Sequence, residues 1–75
     1  MKIDLHGMTI HMAWNVFVSR ATGAYYNNHK SIVVITGQGA IAKEFPQWAH
    51  QHSHVRSCTQ MPNNPGSFKL VLKKG

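Results

Sequence analysis

Asp4 and His6 stand two residues apart in "KIDLHG" (residues 2–7), a carboxylate and an imidazole inside a short run that otherwise reads as a buried strand. Side chains alternate faces along a strand, so Ile3 and Leu5 point one way and Lys2, Asp4 and His6 the other. An imidazole titrates near neutral pH and can take or give a proton, and a nearby carboxylate can fix its tautomer, which is the make-up of a general acid–base pair. The two residues also have plainer uses, because aspartate caps neighbouring turns and histidine hydrogen-bonds backbone carbonyls. A second segment, "TGQG" (residues 36–39), sets glycines on both sides of Gln38. Backbone N–H groups of such a loop can approach an anion closely, and the helix that follows offers its positive N-terminus to a phosphate. Read alone, the loop is also a tight strand-to-helix turn that needs glycine for its φ angles.

These segments can act together only if the elements around them bring them to one place. Gly7 ends the first strand, and Thr9 can cap a helix whose apolar residues Ala13, Val16, Phe17, Ala21 and Ala24 follow helical spacing up to about "YYNNHK" (residues 25–30). Gly23 lies inside that pattern and costs it about 1 kcal/mol relative to alanine. In "SIVVITGQG" (residues 31–39), Ile32, Val33, Val34 and Ile35 are consecutive and β-branched, which predicts a central strand covered on both faces and stopped at Gly37. Ile41, Phe45, Trp48, Ala49 and His52 repeat at helical spacing, with Pro46 expected in the first turn or at a kink. "HVRSC" (residues 54–58) reads as a short strand and "MPNNPG" (residues 61–66) as a turn. "SFKLVLK" (residues 67–73) then alternates Phe68, Leu70 and Leu72 against Lys69, Val71 and Lys73 as a last strand. The order is βαβαββ. A strand–helix–strand crossover is almost always right-handed and makes its two strands parallel, so His6–Gly7 and Thr36–Gly39 end at the same edge of the sheet. Ligands of open α/β sheets bind at that edge.

Composition sets the scale of any site. The chain of 75 residues with 43% hydrophobic content is expected to form one domain, residues 1–75, with a core too small for deep internal cavities, so a site must lie at the surface. Eight lysines and arginines against two acids leave a formal charge of +6. An anionic partner follows, and nucleic acid comes before a membrane because no long apolar run or basic amphipathic helix is present; the alternative is charge that serves solubility alone. The single cysteine, Cys58, excludes an internal disulfide framework, fits a cytoplasmic location and reads as a small core residue. The chain opens on a strand pattern, and no secretory leader is expected.

Taken together, "IDLHG" (residues 3–7), "VITGQG" (residues 34–39) and "EFPQW" (residues 44–48) closely resemble the Smr (small MutS-related) domain family. Its markers are a (L/I)DLHG strand end and a (T/H)GxG loop, usually with an alanine in the first helix, which Ala13 supplies. The resemblance runs from Ile3 to about Lys73. It implies an α/β fold, a two-layer α/β sandwich similar to the C-terminal domain of translation initiation factor three, with a four-stranded mixed sheet and two helices on one face. It also implies nucleic-acid binding and, in several members, endonuclease activity on DNA or RNA. By motif match, Asp4 and His6 become the catalytic candidates, while Gly7, Thr36, Gly37, Gln38 and Gly39 become the residues that contact the nucleic acid. Near the end the chain departs from the family pattern, showing "NNPGS" (residues 63–67) where a GGxG-like turn is common and matching it only at Gly66.

Cleavage of RNA finds its nucleophile in the 2′-hydroxyl, whereas cleavage of DNA needs water, often activated by metal ions that carboxylates hold. Asp4 and Glu44 are the only acidic side chains in the chain, which favours metal-independent RNA cleavage; no cofactor is expected, and a divalent metal stays open. Lys2 and Lys43 are candidates for the nucleic-acid backbone, followed by Lys30, Arg56, Lys69 and Lys73. In "HQHSH" (residues 50–54), His50 and His54 are four apart, yet no third strong ligand is near, and a solvated helix terminus suited to cationic histidine explains the cluster better than zinc. Trp14, Tyr25 and Tyr26 could stack on bases, although Trp14 and Tyr25 sit beside the apolar stripe and are expected to pack. A non-catalytic binding module or a protein-interaction domain is the alternative to a nuclease, and the oligomeric state is open.

Overall fold

The computed structural model describes residues 1–74. Its elements are β1 (Lys2–Asp4), α1 (Ile10–Tyr26), β2 (Ser31–Ile35), α2 (Ala40–Gln51), β3 (Val55–Met61) and β4 (Asn64–Leu72), in the expected βαβαββ order. They form one four-stranded sheet, ordered β1-β2-β4-β3, in which β1 and β2 are parallel and the other two pairings antiparallel. The parallel pair carries Asp4 opposite Ile35, and Leu5 N–H donates to the Ile35 carbonyl, so the first two strands end side by side.

Burial follows the alternation of each strand. Ile3 and Leu5, Ile32 and Val34, and Phe68, Leu70 and Leu72 are buried, whereas Lys2, Asp4 and Lys69 are exposed. Val33 and Ile35 are only half-buried, which corrects the reading of β2 as covered on both faces. Their β-branched side chains suit a pleated strand whichever way they face, so an unbroken apolar run did not require a second layer. Both helices supply the other wall of the core through Ala13, Phe17, Ala21 and Ala24 of α1 and Ile41, Phe45, Trp48 and Ala49 of α2. Edge-to-face packing of Phe17 on Phe45, ring centroids 5.0 Å apart, and of Trp14 on Trp48, 5.4 Å apart, ties the helices together.

Thr9 caps α1 as expected, its hydroxyl accepting from Met12 N–H at 3.2 Å. Of the two placements expected for Pro46, the first turn is excluded: it is the seventh residue of α2, and the helix runs through it. The strongly apolar face of Ile41, Phe45, Trp48 and Ala49 holds this helix on the core and compensates for the missing N–H. The last turn is also tighter than "MPNNPG" implied, because Met61 pairs with Asn64 and only Pro62 and Asn63 lie between the strands. Asn64, Pro65 and Gly66 therefore belong to β4, which brings Gly66 alongside the end of β2. Among the described residues, no helix is long and apolar enough to cross a membrane.

Candidate nucleic-acid interface

The carboxyl ends of β1 and β2 frame an open cleft of about 450 Å³, lined by His6 to Ile10 on one side and Thr36 to Ile41 on the other. The two motifs, thirty residues apart in sequence, touch there: a Cβ placed on Gly37 would meet Cδ2 of His6 at 3.0 Å. Gly37 has φ of +75°, a conformation that other residues rarely adopt, so its backbone favours glycine, and a side chain there would push on the exposed His6 ring. Both helices start at this cleft, since Ile10 and Ala40 are their first residues. Neither first turn carries an acidic side chain, and α2 has no side-chain cap on its leading N–H groups. Two positive helix ends thus face one opening, and no carboxylate lines it.

Each residue singled out by sequence has a definite position. His6 and Gly7 are exposed on the cleft wall, and Gln38 and Gly39 are exposed on the loop opposite. Gly39 has φ of −97° and space around its Cβ position, so its value is open access at the helix N-cap, not a special backbone angle. Thr36 is 3% exposed, and its hydroxyl points at the carbonyls of Gly66, at 3.1 Å, and Gly37, at 2.9 Å. Its donor is spent inside the protein. Asp4 lies outside the cleft lining, and its Oδ1 accepts from His6 backbone N–H at 2.9 Å. This is the turn-capping use of aspartate: it fixes the chain direction at His6 and leaves the imidazole without a carboxylate partner among the described residues. Lys43, in the second turn of α2, and Lys2, at the opposite end of β1, are exposed but do not line the cleft.

Gly66, outside the candidate residues, also shapes the site. The Gly66 carbonyl accepts from Thr36 N–H at 2.7 Å and Gly37 N–H at 3.1 Å, and a Cβ on Gly66 would lie 3.0 Å from the Gly37 backbone. Gly66 therefore buttresses the glycine loop from β4. The single match inside "NNPGS" was the available signal.

Within the histidine cluster, His50 is exposed in the last turn of α2, as expected of a solvated terminus, whereas His52 is packed. α2 stops at Gln51, and His52 is 9% exposed, its Nε2 lying 3.3 Å from Thr22 Oγ1 and its Nδ1 accepting from His54 N–H at 3.2 Å. Burial pushes its pKa down, against a hydrogen bond to the Val18 backbone and with a further push from His54. His52 is a neutral packing residue, and a cationic form would have to give up the His54 N–H bond. His54 stacks on Tyr25, ring centroids 3.8 Å apart, and Trp14 packs on Trp48 and Phe17, so both aromatics pack as expected. Tyr26 is 70% exposed. Cys58 is half-buried against the core, and burial raises its thiol pKa. Among the described residues, no three His, Cys, Asp or Glu side chains converge in a metal-holding group.

Comparison with known proteins gives the family and the fold. The family model described as the Smr domain matches residues 3–72. The Smr domain of Thermus thermophilus MutS2 superposes with a TM-score of 0.82 at 18% identity, covering 96% of both chains. YdaL, a stand-alone small MutS-related protein from Escherichia coli, superposes with a TM-score of 0.82 at 16% identity over 97% of this chain, which spans only 64% of that protein. No curated relative matches the sequence.

Proposed function

The chain belongs to the Smr domain family, and we propose that the cleft between its two helix N-termini binds a phosphate of single-stranded or locally opened nucleic acid and that His6 transfers a proton there during strand cleavage. The observation that carries this reading is the convergence of both helix N-termini on an acid-free opening whose wall is an exposed imidazole. Unpaired N–H groups at Ala40 and Ile41, with the open loop at Gln38 and Gly39, suit non-bridging phosphate oxygens. These donors also suit the extra negative charge that develops as the phosphorus is attacked. With RNA, the 2′-oxygen would bond to phosphorus while the bond to the 5′-oxygen breaks. His6 would take the 2′-hydroxyl proton, the departing oxygen would take one from water, and the products would be a 2′,3′-cyclic phosphate and a 5′-hydroxyl.

A binding role without turnover is the second reading. It is favoured by Asp4, whose carboxylate is engaged by the backbone and not by the imidazole. Incubating labelled single-stranded RNA and DNA with the wild type and with His6→Ala, with and without EDTA, separates the two. Cleavage that depends on His6 and yields cyclic phosphate supports the nuclease. Salt-dependent binding without products from any substrate supports the binder, and an absence of binding to either nucleic acid refutes both.

A further inference from the structure

A second cleft, of about 430 Å³, lies at the opposite end of the sheet, where α1 finishes and β2 begins. Its lining includes Tyr25, His29, Lys30, Arg56, Lys73 and Lys74, drawn from the end of α1, the start of β2, β3 and the end of β4. No carboxylate side chain lines it, and the two acidic residues of the chain are elsewhere, Asp4 at the far end of β1 and Glu44 on α2. Lys30, Arg56, Lys73 and Lys74 are all exposed. Cations often gather at a helix C-terminus to offset its negative pole. That explanation is weak here, because the last carbonyls of α1 are already taken: Gly23 accepts from Asn27 N–H, Ala24 from His29 N–H and Tyr25 from Asn28 N–H.

The two clefts are joined by the uncovered face of the sheet. Val33, in the middle of β2, is flanked by Lys2 on β1 and Lys69 on β4, both exposed. From Lys30 to Gly37 the strand covers seven steps, about 23 Å at the usual rise per residue. Resting on the nucleic-acid reading above, we propose that the Lys30, Arg56 and Lys73 cleft is a second phosphodiester-backbone subsite, which holds the same strand whose reacting phosphate lies beside His6, with Lys2 and Lys69 beneath the span between them. The exposed ring of Tyr26, next to the cleft residue Tyr25, offers a surface for a base at that end. The first cleft then selects the bond, and the second supplies affinity and fixes how far the strand must extend beyond the reacting phosphate.

Fluorescence anisotropy with a labelled single-stranded RNA dodecanucleotide and with a dinucleotide, across a salt series, tests this for the wild type and for the triple variant Lys30→Ala, Arg56→Ala, Lys73→Ala. Removing three backbone contacts should reduce the slope of log affinity on log salt by about 2 for the dodecanucleotide. Binding of the dinucleotide, too short to bridge the clefts, should be unchanged. Arg56→Gln alone should lower the slope by about 0.7, whereas Arg20→Ala, which removes an equal charge from the exposed side of α1, should not. An unchanged slope in the triple variant, beside salt-dependent binding by the wild type, overturns the second subsite and leaves the first intact. Equal losses for both oligonucleotides, or for Arg20→Ala and Arg56→Gln, also overturn it by making the effect one of net charge. Failure of the wild type to bind the dodecanucleotide refutes the underlying reading as well.

Discussion

At the carboxyl ends of β1 and β2 both helices begin, and at the other end of the sheet both finish with several of their last carbonyls hydrogen-bonded, so the backbone favours anions chiefly at the first end. Side chains follow the opposite pattern. The cleft at the helix starts has no lysine or arginine in its lining and relies on main-chain N–H groups, glycines and one imidazole. The cleft at the helix ends is lined by three lysines and an arginine, Lys30, Lys73, Lys74 and Arg56. Main-chain donors are short and fixed in direction, which suits positioning a reacting atom. Lysine and arginine are long and mobile, which suits holding a backbone without dictating its geometry. A small chain with a surplus of six positive charges thus has none of its lysines or arginines in the lining of the cleft where both helices begin.

Four substitutions test that division, beginning with the largest effect. His6→Ala should lower cleavage by roughly 10²- to 10⁴-fold in product-formation assays while leaving oligonucleotide affinity nearly unchanged, as expected of a proton-transfer group. A substrate with a 2′-deoxy sugar at the cut site should resist the wild type; cleavage of it at an equal rate would sink the internal-nucleophile mechanism. Gly66→Ala should come next, because its new methyl group would press on the Gly37 backbone at 3.0 Å. A loss of about 1–3 kcal/mol in denaturant titration is expected, with weaker phosphate binding at the first cleft. If binding there survives at full strength, the position of the loop does not depend on β4.

Thr36→Val should cost about 1 kcal/mol of stability through its lost hydroxyl hydrogen bonds, with little direct effect on nucleic-acid contacts. A large loss of affinity at unchanged stability would instead make the hydroxyl a ligand donor. The smallest effect belongs to the helix-finish end and follows from His52. Its pKa in the folded chain lies below the ordinary 6.5, so on acidification the unfolded chain takes up the proton first. The stability tied to neutral His52 is complete above 6.5, is lost as the pH falls from there to the lowered folded value, and changes no further below it. Melting temperatures measured across this window should decline with acid, and His52→Asn should flatten the decline. An unaltered pH profile in that variant would place the titrating group elsewhere.

What the sequence by itself determined is whatever consecutive residues encode. The alternation in "KIDLHG" put Lys2, Asp4 and His6 on the exposed face, the spacing of Phe17, Ala21 and Ala24 gave α1 its buried stripe, and Thr9 marked where that helix starts. Two motifs at the ends of parallel strands were enough to predict the first cleft, because a right-handed crossover leaves little choice of where they meet. Only the tertiary structure decided how each group is used. Asp4 faces its own backbone, Thr36 turns its hydroxyl toward Gly66, Gly66 supports a loop thirty residues away, and His52 bonds to Thr22 and to the His54 backbone. The basic cleft was equally hidden, because Lys30, Arg56 and Lys73 are adjacent only through the β1-β2-β4-β3 strand order. A hydrogen bond or a shared charge field depends on distance in space, and no local period specifies which strand becomes whose neighbour.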